Sequence, residues 1–212
     1  MKVLRAYPHR ELTFGDIMRL GLPSFACDRH VNLWRLKNML HLWRGFWKIS
    51  IARLFKIPHF YGQLFLTKIT ASGDHVQYGL ASLRVVVDNG AGFIVDAWQN
   101  IVELEIMKYH GVGTGTNAEA ATDTALQTEC TTALNPDNTR ATGSTTEASQ
   151  KVFRTVGTNT FDASAAVTEH GILSQAATGG GTLLDRSVFS AINVVSGDSI
   201  QSTYDFTINS GS

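Results

Sequence analysis

The sequence predicts a mainly β protein, an antiparallel β-sandwich or barrel-like domain with a basic, partly helical N-terminal arm and one short helix. The last third of the chain divides into four strand-like runs separated by turns, as in antiparallel sheets. Charge divides the 212 residues in two. Residues 1–60 contain 11 Lys and Arg against 3 Asp and Glu, a formal charge of +8, and residues 61–212 carry −8. We therefore expect an arm over 1–60 and a sandwich over 61–212.

The arm is centred on residues 31–57, where apolar residues recur at steps of four and three. That spacing predicts an amphipathic helix with a single apolar stripe. The stripe consists of Leu36, Leu40, Trp43, Trp47, Ile51 and Leu54, and the basic residues around it are Arg35, Lys37, Arg44, Lys48, Arg53 and Lys56. Pro58 follows and is expected to end the helix, because the residue before a proline is steered out of the helical region.

A basic amphipathic helix can pack on its own core or in a partner's groove, lie on an anionic membrane, or contact nucleic acid. We favour packing on a core or a partner, because amphipathicity alone is common. Three tryptophans in so short a run are also expected to be buried against other protein atoms rather than exposed to solvent. Neither a secretory signal nor an apolar run of membrane-spanning length is visible, so no transmembrane helix is expected. The membrane surface is a less favoured interpretation of the helix, and we expect no membrane among the partners. The expected partner-binding residues are Trp34, Leu36, Leu40, Trp43, Arg44, Trp47, Lys48 and Arg53.

The pattern changes to strands after Pro58. Two runs, YGQLFLTKIT and HVQYGLASLRVVV, are joined by a turn at residues 72–74 and predict a hairpin. The segment DNGAG at residues 88–92 predicts a second turn, in which Asn89 and Gly90 are suited to positive φ. The following FIVDAWQNIVELEIM predicts a short helix, because Phe93, Ala97, Ile101 and Leu104 fall at helical spacing.

Residues 108–126 contain a glycine-rich segment, KYHGVGTGTNAEAATDTAL. It lacks the lysine of a phosphate-binding loop and the GxGxxG spacing of a dinucleotide site, so it predicts a turn without a cofactor. Residues 127–150 are rich in small polar residues and predict a long loop. The two cysteines, Cys27 and Cys130, lack metal-ligand spacing. We expect no metal site and reduced thiols, with one disulfide as the alternative.

The four runs of the last third predict strands joined by turns that include residues 179–181 and 196–198. They read KVFRTVGTNTF, AVTEHGILS, TLLDRSVFSAINVV and SIQSTYDFTI. In the final run, apolar and polar residues alternate, which predicts one face in the core and one face in water. The apolar side contains Ile200, Tyr204, Phe206 and Ile208, and the polar side contains Gln201, Thr203, Asp205 and Thr207.

Two adjacent polar pairs, Glu169–His170 and Asp185–Arg186, resemble fragments of an active site. Neighbouring side chains on a strand point to opposite faces, so neither pair can act directly on one atom. A strained nucleophile turn such as GxSxG is also absent. We expect these residues to have structural roles, for example an ion pair between Arg186 and Glu169 across two strands.

Several segments together resemble small virion structural proteins of tailed bacteriophages, namely head decoration (cement) proteins and tail or fibre proteins. The resemblance covers roughly residues 76–209 and excludes the basic tryptophan-rich segment. The segments are RVVVDNGAGFIVDAWQN, MKYHGVGTGTNAEAATDTALQTE, TEHGILS and LLDRSVFSAINVVSGDSIQSTYDFTI. The resemblance implies a β-sandwich that binds other virion proteins and has no catalytic role.

The sequence thus favours a capsid decoration protein that binds the head shell through its N-terminal arm and sandwich. Its expected partners are the major capsid protein and further copies of itself, with assembly onto the virion in the host cytoplasm. Nucleic acid is a less favoured partner of the arm. The alternatives are a tail or fibre component and, from another class, a polysaccharide-cleaving enzyme, which would need two carboxylates facing each other in a cleft.

Overall fold

The structure is a computed structural model that describes residues 6–8 and 10–211. Strands account for 40% of the residues and helices for 24%, and two antiparallel sheets pack together, so the predicted mainly β, sandwich-like fold is confirmed. The helices are α1 (Phe14–Gly21), α2 (Arg29–Leu54) and α3 (Asp88–Trp98), followed by a short 3₁₀ turn at Leu104–Ile106.

The strands follow in two groups along the chain. They are β1 (His59–Ile69), β2 (His75–Val85), β3 (Tyr109–Gly113), β4 (Leu134–Asn135), β5 (Ala141–Thr142), β6 (Ser144–Ser149), β7 (Val152–Phe161), β8 (Ala165–Leu173), β9 (Leu183–Val194) and β10 (Ser199–Asn209). One sheet has the order β2-β1-β10-β7-β4, with β6 also paired to β7, and the other has the order β5-β3-β8-β9. The main core lies between them, where Leu64 and Ile200 of the first sheet share a cluster with Val167 and Phe189 of the second.

The turns that join these strands match the sequence pattern. Gly73 adopts a φ of +85° in the β1–β2 hairpin, and Gly197 adopts +86° between β9 and β10. Such values strain any side chain with a Cβ, which explains glycine at both positions. The hairpin and all four C-terminal strands were therefore predictable from alternation bounded by glycine turns.

Helix α2 covers the open side of the sandwich, where the edge strand β2 of one sheet lies beside the edge strand β9 of the other. Its polar side chains bond the backbone of both edges. The Arg35 Nε donates to the Tyr78 carbonyl at 2.8 Å, and the Asn38 Nδ2 donates to the Ala81 carbonyl at 2.7 Å. The Ser190 amide of β9 donates to the Asn38 Oδ1 at 2.9 Å. Unpaired strand edges invite association with other chains, and α2 removes that possibility here.

The described part of the predicted arm packs on the sandwich. Leu12, Ile17, Leu42 and Ile49 share one buried cluster with residues of β1 and β2. Those strand residues are Tyr61, Phe65, Leu80 and Leu83. Residues 1–5 and 9 of the predicted arm lie outside the described residues.

The prediction that β10 has one face in water is wrong. Thr203, Asp205 and Thr207, on its polar side, are buried. The Arg154 guanidinium of β7 bonds both carboxylate oxygens of Asp205, at 2.6 and 2.7 Å, and also donates to the Pro8 carbonyl. The N-terminal segment and helices cover this face, so the polar residues are buried with partners rather than left in solvent.

Four local predictions also need correction. The segment DNGAG does not form a turn with positive φ but begins α3, and Gly90 is needed because a Cβ there would lie 2.4 Å from the Leu184 carbonyl oxygen. Helix α3 ends at Trp98, so Ile101 and Leu104 lie beyond it. The glycine-rich segment contains strand β3, and the predicted loop over residues 127–150 contains β4, β5 and β6.

Candidate functional site: an exposed aromatic and basic helix face

The apolar stripe of α2 points away from the sandwich. We call this surface the α2 face, formed by Leu36, Leu40, Trp43, Trp47, Ile51 and Leu54, whose exposed fractions run from 49% to 77%. The opposite side of the helix is the buried one, with Val31, Leu42 and Ile49 in the core. Contiguous exposed apolar residues on a folded protein mark an interaction surface.

The aromatic rings on this helix contact one another. The Trp43 and Trp47 ring centroids lie 5.7 Å apart with their planes near perpendicular, and the Trp43 and Phe46 centroids lie 5.3 Å apart. Phe46 also contacts Phe14 of α1, with centroids 5.5 Å apart. Edge-to-face and offset-stacked pairs of this kind stabilise a defined arrangement of rings. The α2 face therefore presents an ordered aromatic ridge, which suits recognition because little side-chain freedom is lost on binding.

The eight residues predicted to bind a partner do not all lie on this surface. Arg44 and Lys48 are exposed and flank the ridge, beside the apolar residues Leu36, Leu40, Trp43 and Trp47. Trp34 is buried in the core and its Nε1 donates to the Ser190 carbonyl at 2.6 Å. The Arg53 Nη2 donates to the Glu11 Oε1 at 2.5 Å and to the Tyr61 hydroxyl at 2.9 Å. Trp34 and Arg53 thus hold the helix in place, and the other six are presented to solvent.

The pair that resembled an active site, Glu169 and His170, lies on β8 with the two side chains on opposite faces. Glu169 is fully buried and accepts hydrogen bonds from the amides of Gly115, Gln127 and Thr128 at 2.7–3.0 Å. The Arg186 Nε donates to its Oε2 at 2.8 Å, which confirms the predicted cross-strand ion pair. Glu169 therefore fixes the glycine-rich segment to β8, and its two oxygens accept four hydrogen bonds.

His170 belongs to a second buried group between the sheets. Its Nε2 lies 3.0 Å from the His110 Nδ1, and the His110 Nε2 lies 3.1 Å from the Thr155 hydroxyl. Nearby, the Tyr204 hydroxyl donates to the Asp185 Oδ2 at 2.9 Å. All of these residues are buried, so a substrate could not reach them without opening the core.

Titration of this buried group predicts how stability depends on pH. Burial lowers the pKa of His110 to about 3, and burial followed by the neighbouring His110 lowers that of His170 well below 6.5. Burial raises the pKa of Asp185 from 3.8 to about 7. Below pH 6.5 these two histidines are protonated in the unfolded chain but remain neutral in the folded protein. Acidification therefore lowers the free energy of unfolding by up to about 1.4 kcal/mol per histidine per pH unit. Asp185 opposes this, since between about pH 7 and 4 only its folded form is protonated.

We expect the free energy of unfolding to fall as pH is lowered from 6.5 to 4, measured by urea denaturation, because two histidines outweigh one carboxyl. Asp185→Asn removes the opposing contribution and is expected to make the fall steeper. A free energy that stayed level over this range would contradict neutral, buried histidines at His110 and His170.

One cleft on the surface of the described part of the chain has a volume of about 350 Å³ and lies apart from the buried group. It is lined by Glu11, Leu12, Thr13, Arg53, Asn209 and Gly211. Burial opposes ionisation of Glu11, but the Asn209 hydrogen bond and the Arg53 charge outweigh it and lower the pKa of Glu11. A carboxylate held by Arg53, Tyr61 and Asn209 is a weak base. Another cleft, of about 190 Å³, lies beside Lys151 and Phe206.

Over residues 6–8 and 10–211, no three His, Cys, Asp or Glu side chains are placed to bind a metal ion. Both Cys27 and Cys130 have free thiols. Among the helices described, none combines the length and apolarity that crossing a membrane requires. Comparisons with protein-family models, with curated proteins and with solved structures found no match to this chain.

Proposed function

We propose that this chain is a structural protein of a tailed-bacteriophage virion, a decoration protein that binds the head shell in many copies. It acts by binding rather than by catalysis, and its binding surfaces are the α2 face and the sandwich. The observation that carries the proposal is the α2 face itself, an ordered aromatic ridge flanked by Arg44 and Lys48 and held outward by the packing of the helix.

The mainly β fold and the resemblance of residues 76–209 to virion proteins support the same proposal. A repeating shell offers the same site many times, so several weak contacts act together and give avidity without one tight interface. A rigid sandwich with one presented helix face suits that arrangement, because little of the protein has to become ordered on binding.

The test is cosedimentation of the purified protein with phage heads that lack it. We expect the parent protein to saturate the heads, and we expect Trp43→Ala combined with Trp47→Ala to weaken binding at least about tenfold, because exposed aromatic anchors dominate protein interfaces. Val195→Ala is the control, since Val195 is equally exposed, at 54%, but lies outside the α2 face. Circular dichroism verifies that each variant is folded.

Salt distinguishes the partners of the helix. Binding through apolar rings is expected to persist at high salt, whereas contact with DNA would weaken steeply as salt rises. If the parent protein does not sediment with heads at any salt concentration, the decoration proposal fails. Sedimentation with isolated tails would then support the tail component.

A further inference from the structure

A second exposed apolar surface lies on α3 and the segment after it, in an acidic part of the chain. Helix α3 and the 3₁₀ turn after it leave Val95, Trp98, Ile101 and Leu104 exposed by 46–73%. Residues 88–107 contain four acidic residues and no lysine or arginine; the acids are Asp88, Asp96, Glu103 and Glu105. We call this surface the acidic face.

The acidic face is held in position by the core beneath it. Phe93 and Ile94 of α3 are buried in a cluster with Ile172, Leu184 and Tyr204 from both sheets. With these two side chains turned inward, the helix presents Val95 and Trp98 outward. Exposed apolar residues surrounded by charge of one sign are typical of a protein interface.

The two surfaces of the chain are complementary. The α2 face has apolar and aromatic residues flanked by the exposed bases Lys37, Arg44 and Lys48, and residues 29–57 contain no acid. The acidic face pairs the same kind of apolar residue with carboxylates. Within the described part of the chain, neither Arg44 and Lys48 nor Glu103 and Glu105 form an ion pair.

We infer that the α2 face of one copy binds the acidic face of a second copy, head to tail. The inference rests on the proposed function and deepens it, because it assigns the α2 face to contacts between neighbouring copies on the shell. The sandwich then contacts the shell directly, and loss of the contacts between copies weakens head binding through loss of avidity. Two different surfaces make a heterologous contact, which repeats into a closed ring or a chain of subunits. Pairing two α2 faces would instead set bases against bases.

Charge reversal tests the inference on the intact protein without phage heads. One variant carries Arg44→Glu with Lys48→Glu, and the other carries Glu103→Lys with Glu105→Lys. We expect the parent protein to self-associate in sedimentation velocity experiments, and each variant alone to associate at least about tenfold more weakly, because like charges then face each other. Mixing the two variants is expected to restore association, since each then offers the charge that the other lacks.

The mixture is the decisive sample. A monomeric parent protein at every soluble concentration, or a mixture that associates no better than its parts, would overturn the inference. A Glu103→Lys, Glu105→Lys protein that associates as well as the parent would also overturn it, because the acidic face would then be dispensable. A parent protein that self-associates as expected but does not bind phage heads would count against the proposed function alone.

Discussion

Replacing Glu169 with glutamine is expected to lower the free energy of unfolding by about 3–5 kcal/mol, the usual result of breaking a buried ion pair. The carboxylate receives three backbone amides and the Arg186 guanidinium, at 2.7–3.0 Å. A glutamine side chain would place its NH₂ donors against some of these N–H donors, which would then lack an acceptor. It would also leave the buried Arg186 with Asp123 as its remaining acidic partner. Urea denaturation of the parent and the variant measures the loss.

The matched control is Glu147→Gln, the same change at an exposed position on β6. It is expected to alter stability by no more than about 0.5 kcal/mol, as surface substitutions usually do. A loss below about 1 kcal/mol for Glu169→Gln would mean that the glycine-rich segment is held by something other than this carboxylate.

Replacing Gly45 with alanine is expected to separate α2 from the sheet edge and to cost about 3 kcal/mol or more, at the upper end of overpacking effects. A Cβ at this position would lie 1.7 Å from the Leu83 carbonyl oxygen, a backbone atom that cannot rotate away. The helix would have to move outward, which would loosen its buried contacts with β2. Thermal unfolding and limited proteolysis after α2 would both report the change.

Gly92→Ala is the control for this prediction. Gly92 lies in α3, where an added Cβ meets no atom within 4 Å. Alanine there is expected to stabilise the protein by about 0.5–1 kcal/mol, because glycine costs more conformational entropy in a helix. Equal effects at the two positions would indicate that helix propensity, rather than the close approach of Gly45 to Leu83, decides the outcome.

Much of the fold was predictable because local signals agree with one another. The C-terminal strands carry β-rich runs, and glycines at the turns, such as Gly197 with its positive φ, mark where each run ends. The α2 helix was predictable from its apolar period and Pro58. Strand β3 was not, because three glycines in five residues are typical of a turn, and its pairing with β8 depends on residues about sixty positions away.

The orientation of α2 could not be predicted from the sequence pattern. Periodicity identifies an apolar stripe, but it cannot tell whether that stripe faces inward. Here the inward side includes Arg35 and Asn38, whose side chains bond the backbone of strand edges. Those edges exist only after the sheets have formed, so the reason for burying two polar residues is not local. The same limit explains Trp34, which was predicted to bind a partner together with the other tryptophans but is buried in the core.

Helix α2 has a consequence for biosynthesis, because it precedes every strand in the chain. As the ribosome extends the nascent chain, the segment that covers β2 is synthesised before β2 itself. An unpaired strand edge in a partly translated protein is prone to pair with other nascent chains on the same messenger RNA. A cover made in advance shortens the time for which that edge is open, which lowers the chance of aggregation during synthesis.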